Sequence, residues 1–461
     1  MSKVELLLPA GDFTKMQYAY AYGADAVYLG IPRFSLRARE NGFKFHQDSE
    51  VEAIQYAHKL GKKIYITANI IPHNNKVEPF IKYVDKLLEQ CQPDAWIMAD
   101  PGMIMLMRER HPEQEIHLSV QANTVNYATT KFWHQIGVKR IILSRELNLR
   151  EMKKIHESCP EMELEAFVHG SICIAYSGRC LISNYMSHRD PNQGTCSNSC
   201  RWEYKMYQKE DVQPASWKEQ PSSGEMPPAE RSDEYVPLKG DYYLEETERP
   251  GEYMQIDEDE NGTYLMNARD LCAIEYLEEL RDAGIVSYKV EGRSKSLYYA
   301  AMIARAYRQA IDDMDAGKPF DRELMTDVFA TSNRGLISGF LMGNPGKSAQ
   351  KFDSATPEKQ SHQFAGIIHE WDSETRRIKV EPRNPIRIGM ELELITPEAV
   401  LPFVVKEICD EKGRIKEVIH GGLHYFWIPC EQDPGPFALL REKLDEINPE
   451  KIFMSKDESQ P

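Results

Sequence analysis

Four cysteines are gathered near the middle of the chain with the spacing Cys173-x6-Cys180-x15-Cys196-x3-Cys200. Two close pairs of thiolates can enclose a zinc ion or an iron–sulfur cluster, and spacing alone leaves both open. Between the pairs, Asn184, Asp190-Pro191-Asn192 and Gly194 are turn formers that let the chain double back. The other five, Cys91, Cys159, Cys272, Cys409 and Cys430, are scattered. The opening MSKVELLLPAGDF holds too short an apolar stretch for a secretory signal, so a cytoplasmic setting is expected. In that setting clustered thiols point to metal or redox chemistry rather than to disulfides.

A second group of residues follows short apolar runs. Asn69, Asp100, Gln121, Asn123, Ser144-Arg145-Glu146, His169, Glu291 and Arg293 each stand just after such a run, and Arg37 and Arg39 lie in a longer loop. Guanidinium forks match carboxylate or phosphate, so several arginines at one opening predict an anionic ligand. Arg145 beside Glu146 also reads as a local ion pair, and His169 also reads as a core histidine. No H-E-x-x-H, G-x-S-x-G, G-x-x-x-x-G-K-[ST] or dinucleotide fingerprint is present, so hydrolysis has no evident engine.

The elements that must position these residues alternate. Strands are expected at Val4–Leu8, Ala26–Leu29, Ile64–Ala68, Ala95–Met98, Ile116–Val120, Arg140–Leu143, Leu164–Val168 and Ser287–Val290, with helices between them. After the seventh strand the pattern breaks, then resumes with an expected helix over Asp270–Ala283. Eight β/α units predict a closed (β/α)8 TIM-like barrel over residues 1–346, whose chemistry lies at the C-terminal ends of its strands. A Cys-rich segment (170–202) and an acidic insertion (203–262) follow strand seven. The insertion holds 17 Asp/Glu against 6 Lys/Arg, so most of the net charge of −16 sits there and a basic groove elsewhere is not excluded. A polar linker (347–361) leads to short strands at 362–447, read as a small all-β barrel and a candidate RNA-binding domain, before a frayed tail (448–461). Hydrophobic residues at 41% and charged residues at 28% fit a globular core, and no apolar run is long enough to span a bilayer.

The stretch Glu165-Ala166-Phe167-Val168-His169-Gly170-Ser171-Ile172-Cys173, followed by Ser177-Gly178-Arg179-Cys180-Leu181-Ile182-Ser183, resembles the signature of the collagenase-like U-type peptidase family. Further blocks resemble it too: Leu8-Pro9-Ala10-Gly11, Tyr22–Tyr28, Ser119–Asn123, Asn267 with Asp270-Leu271, Lys289–Arg293 and Asn333-Arg334-Gly335. The match over Arg189–Cys196 and Cys200–Tyr204 is similar to a branch of prephenate-dependent tRNA uridine hydroxylases. That resemblance implies 5-hydroxylation of the wobble uridine, with oxygen from prephenate and an iron–sulfur cluster of the 4Fe–4S type. By position the cluster ligands are Cys173, Cys180, Cys196 and Cys200, with Cys272 an alternate. It implies as partners the anticodon region of tRNA, prephenate and the iron–sulfur assembly machinery, and no membrane. Arg145 and Arg293, with Arg37 or Arg39, and Gln121 are the expected substrate-binding residues for such a diacid. His169, Asn123 and Glu291 are the catalytic candidates. Tyr176, Trp202 and Asn123 would hold a flipped base, and Arg376, Arg377, Lys379, Arg383 and Arg387 would meet the RNA backbone. A peptidase and a non-catalytic, zinc-stabilised RNA-binding protein are the alternatives.

Overall fold

The computed structural model describes residues 3–36, 47–173, 175–180, 183, 192, 268–331, 334–343, 345, 360–422 and 424–444, with the backbone of three short antiparallel strands at Tyr242–Glu245, Tyr253–Asp259 and Gly262–Tyr264. Arg37, Arg39, Cys196, Cys200 and Trp202, the linker from 346 to 359 and the tail from 445 lie outside the described residues.

Eight parallel strands close on themselves. They are β1 (Glu5–Pro9), β2 (Ala26–Gly30), β3 (Lys63–Ala68), β4 (Ala95–Met98), β5 (Ile116–Leu118), β6 (Arg140–Ile142), β7 (Glu163–Ser171) and β8 (Ile285–Val290). Each pairs with the next, and β8 pairs with both β7 and β1, for example Ile285 with Leu164 and Leu7 with Lys289. The strands are buried on both faces, which explains their nearly unbroken apolar runs. Leu6, Leu8, Val27, Leu29, Ile64 and Ile66 pack outward against the helices. Leu7, Tyr28, Tyr65, Ile97, Ile142 and Phe167 fill the interior. Interior charges are paired: Arg140 reaches Glu5 at 2.6 Å, Glu163 at 2.9 Å and Glu165 at 3.3 Å.

The expected helix over Asp270–Ala283 is corrected. Asp270–Cys272 is a strand, antiparallel to the end of β7 with Cys272 opposite His169, and only Leu277–Asp282 is α-helical. β7 runs past the barrel rim to Ser171, and its free edge there takes a strand. Arg334 fixes that strand by an ion pair to Asp270, and Leu336–Ile337 adds a parallel partner.

Residues 360–444 form a seven-stranded antiparallel sheet and a two-stranded one, giving an all-β domain. Among the described residues no pairing joins the two edges of the larger sheet, so the expected barrel is open in its hydrogen bonding. Leu439–Lys443 is a central strand that alternation did not mark. Ile367, Ile395 and Leu439 belong to the barrel's own outer core. Arg441, 2% exposed, bridges the two parts through Asp327 at 2.8 Å and Glu393 at 2.6 Å. No helix among the described residues is long and apolar enough to cross a membrane.

Candidate active site at the mouth of the barrel

The C-terminal ends of the strands surround one cavity of about 190 Å³. Its wall carries Gln121, Arg145, Glu291, Arg293, Tyr176, Cys173 and Cys180, with Asn69 the eighth of the residues singled out from sequence that meet there. Asn69 and Ser119 also line it, tied together by a 3.0 Å hydrogen bond from Asn69 Nδ2 to Ser119 Oγ.

The arginines are held from behind. The Arg145 guanidinium lies over the Phe167 ring, 3.7 Å from its centroid, and stands 3.9 Å from the Glu291 carboxylate. A stacked, loosely paired arginine keeps donors for a ligand. Arg293 is 6% exposed and donates to the Leu36 carbonyl, and its side chain passes where any Cβ on Gly30 would stand. Arg145 and Arg293 thus stand together on the cavity wall.

The cysteine-bearing loop is fastened to the strands below. The Ser177 amide donates to Glu146 Oε1 at 3.1 Å. Gly178 has φ +72° and packs on the Gln121 carbonyl, a left-handed approach that a side chain would block. The Asn192 backbone carbonyl accepts from Ile71 at 3.2 Å. Glu146 therefore anchors the loop, rather than serving Arg145 as the sequence allowed. Cys173 is exposed and Cys180 partly buried, and both are free thiols on the cavity wall. That donor set fits a thiophilic metal centre. Among the described residues alone, no group of three or more metal-binding side chains forms. Tyr176 stands at the rim 62% exposed, an aromatic face open to solvent.

Two catalytic candidates need correcting. His169 does not line the cavity. A shift in register between β7 and β8 turns it outward against the helix Leu297–Asp315, where its Nδ1 lies 3.2 Å from the Tyr307 hydroxyl. Burial pushes its pKa down to about 3, so it is neutral at ordinary pH. Asn123 adopts a left-handed conformation (φ 51°) and bonds Ser144 Oγ at 3.1 Å. It joins the loops after β5 and β6 and is a positioning residue. Cys272, the alternate ligand, is fully buried 3.8 Å from the Tyr307 hydroxyl, with its thiol pushed up to about 12 by that burial. It stays protonated away from the cavity.

Sequence reasoning missed the floor. Lys289 and Thr67 line it, and Lys289 pairs with Glu165 at 2.8 Å. The signal was a lysine inside a buried strand, which a soluble protein buries only against a carboxylate.

A closed parallel barrel with cationic and thiol side chains gathered at the C-terminal ends of its strands has the layout of a barrel enzyme. Peptidase family U32 matches residues 11–351 and the peptidase family U32 C-terminal domain matches residues 360–441, and the chain belongs to this family. The chain is 45% identical over 441 residues to tRNA hydroxylation protein P of Escherichia coli (strain K12), covering 94% of this chain and 95% of that one. It is 43% identical over 458 residues to tRNA hydroxylation protein P of Haemophilus influenzae, covering 97% of each. It is 32% identical over 310 residues to the 23S rRNA 5-hydroxycytidine C2501 synthase of Escherichia coli (strain K12), covering 67% of this chain and 39% of that protein.

Proposed function

We propose that this chain hydroxylates C5 of the wobble uridine of tRNA in the cytoplasm, with prephenate as oxygen donor and an iron–sulfur cluster on Cys173, Cys180, Cys196 and Cys200. One observation carries the reading: Arg145, Arg293, Cys173, Cys180 and the exposed Tyr176 share one cavity at the barrel mouth. The relatives named for tRNA hydroxylation, matched over nearly their whole length, support the reaction and the RNA.

Replacing the uridine C5–H by C5–OH removes two electrons from the base, and the donor that surrenders its oxygen takes them up. Arg145 and Arg293 would bind and orient the carboxylates of that donor. Tyr176 would stack on the extruded base, while Gln121 and Glu291 face the space between. When bound, a cluster on the cysteines supplies one-electron steps or a Lewis-acidic iron beside the cavity, and its delivery calls for the iron–sulfur assembly machinery. The chain's own part is to position both substrates and keep bulk water out. No observation favours proteolysis: among the described residues lining the cavity there is no histidine to activate a cysteine or serine.

Mass spectrometry of tRNA nucleosides from cells lacking this protein tests the reading. In a host without a redundant enzyme, 5-hydroxyuridine and its derivatives should disappear and return with the wild-type gene. Unchanged hydroxylation would contradict it. Anaerobically purified protein that is colourless and holds zinc would favour the zinc-stabilised RNA-binding alternative.

A further inference from the structure

Two polar groups on the cavity floor take no part in the chemistry proposed above. Lys289 and Thr67 both line the cavity, and each is only 3% exposed. The Lys289 ammonium donates to Glu165 Oε1 at 2.8 Å, lies over the Tyr28 ring 4.4 Å from its centroid and stands 5.6 Å from that of Phe167. Phe167 therefore carries Lys289 as well as Arg145, one cation at the floor and one nearer the rim. An ammonium has three donors, and Glu165 takes one of them. The Thr67 hydroxyl oxygen is buried with no hydrogen-bond partner among the described residues. A buried hydroxyl left in this way carries a free-energy cost that a ligand oxygen would remove.

We propose that Lys289 Nζ and Thr67 Oγ1 form a deep carboxylate subsite, which takes one end of a small acid whose other end meets Arg145 and Arg293. The two-ended arrangement rests on the diacid reading above, whereas the floor subsite requires only a carboxylate. One ammonium and one hydroxyl match the two oxygens of a carboxylate. A phosphate brings a third oxygen and more charge than one ammonium already shared with Glu165 would offset. Burial lowers the pKa of Lys289 and the Glu165 carboxylate opposes that shift, so Glu165 helps to keep the floor cation charged.

The test is titration calorimetry on the full chain purified anaerobically, with prephenate, phenylpyruvate and inorganic phosphate as probes. Thr67→Val keeps the shape of the side chain and removes an unpartnered hydroxyl, so its melting temperature should hold while carboxylate affinity falls about fivefold. Lys289→Met should lose at least tenfold. Phosphate should not bind at the floor. Equal prephenate affinity in the wild type and Thr67→Val would overturn the subsite and leave the co-substrate reading standing. Phenylpyruvate binding that weakens in Thr67→Val, with no prephenate binding, would uphold the subsite and remove prephenate. Binding of neither acid by the wild type, or phosphate binding lost in both variants, would overturn the proposal.

Discussion

At the scale of single residues, some side chains line the cavity with hydrogen-bond donors to spare and others hold its walls in place. Arg145 belongs to the first group: its guanidinium is stacked on Phe167 yet 3.9 Å from its carboxylate partner Glu291. Arg145→Met should raise the KM for the anionic co-substrate at least tenfold with a smaller change in kcat, read from steady-state kinetics. His169 belongs to the second group, buried against the helix Leu297–Asp315 with its Nδ1 3.2 Å from the Tyr307 hydroxyl. Its pKa lies at about 3 in the folded chain against 6.5 when free. Between those values the unfolded chain binds a proton that the native chain does not, so stability falls as pH drops from about 6.5 toward 3. Urea unfolding of His169→Asn should lose about 1.4 kcal/mol per pH unit of that slope between pH 6 and 5. An unchanged slope would mean that His169 titrates normally in the native protein. Sequence pointed to Arg145 at the opening but could not place His169. His169 ends an apolar run like the true cavity residues, and only the register shift between β7 and β8 sends it outward.

At the scale of elements, the barrel was legible because strands such as Ile64–Ala68 and Ala95–Met98 are compact apolar runs alternating with capped helices. Asn148 and Glu151 form a reciprocal cap that marks its helix start in the sequence itself. Two elements were not legible. Asp270–Cys272 sits in a helix-like pattern, and its extended state depends on the distant free edge of β7. Leu439–Lys443 carries Arg441 where alternation would want an apolar residue, because Arg441 is buried as an ion-pair bridge. Arg441→Met would leave Asp327 and Glu393 without that partner and should destabilise the protein by about 3–5 kcal/mol, measured by denaturant unfolding. The Cys180 loop depends on Gly178 at φ +72°. Gly178→Ala should cost about 1–3 kcal/mol locally and lower the iron content of anaerobically purified protein.

At the scale of the whole molecule, the all-β domain is built onto the barrel rather than tethered to it. The Tyr22 hydroxyl donates to the Phe437 carbonyl at 2.9 Å, Tyr298 stacks on Phe364 with centroids 4.8 Å apart, and Leu439 completes the barrel's outer core. Deleting residues 360–461 should therefore produce an unstable or aggregating barrel, and calorimetry of the full chain should show both parts melting together. The cations expected to meet RNA on this domain are mostly engaged. Arg376 pairs with Glu431, Arg377 with Glu407, Lys379 with Glu370 and Arg383 with Glu381. A count of basic residues cannot reveal this, because the partners lie on neighbouring strands and loops. The proposed chemistry lies at the barrel mouth, where an anionic oxygen donor and a tRNA base would be brought together. Its most direct test is a reconstituted reaction of the anaerobically purified chain with tRNA and prephenate carrying oxygen-18 in its ring hydroxyl. The account predicts 5-hydroxyuridine bearing the heavy oxygen; hydroxylated product with unlabelled oxygen, or no product from protein with its iron and sulfide intact, would contradict it.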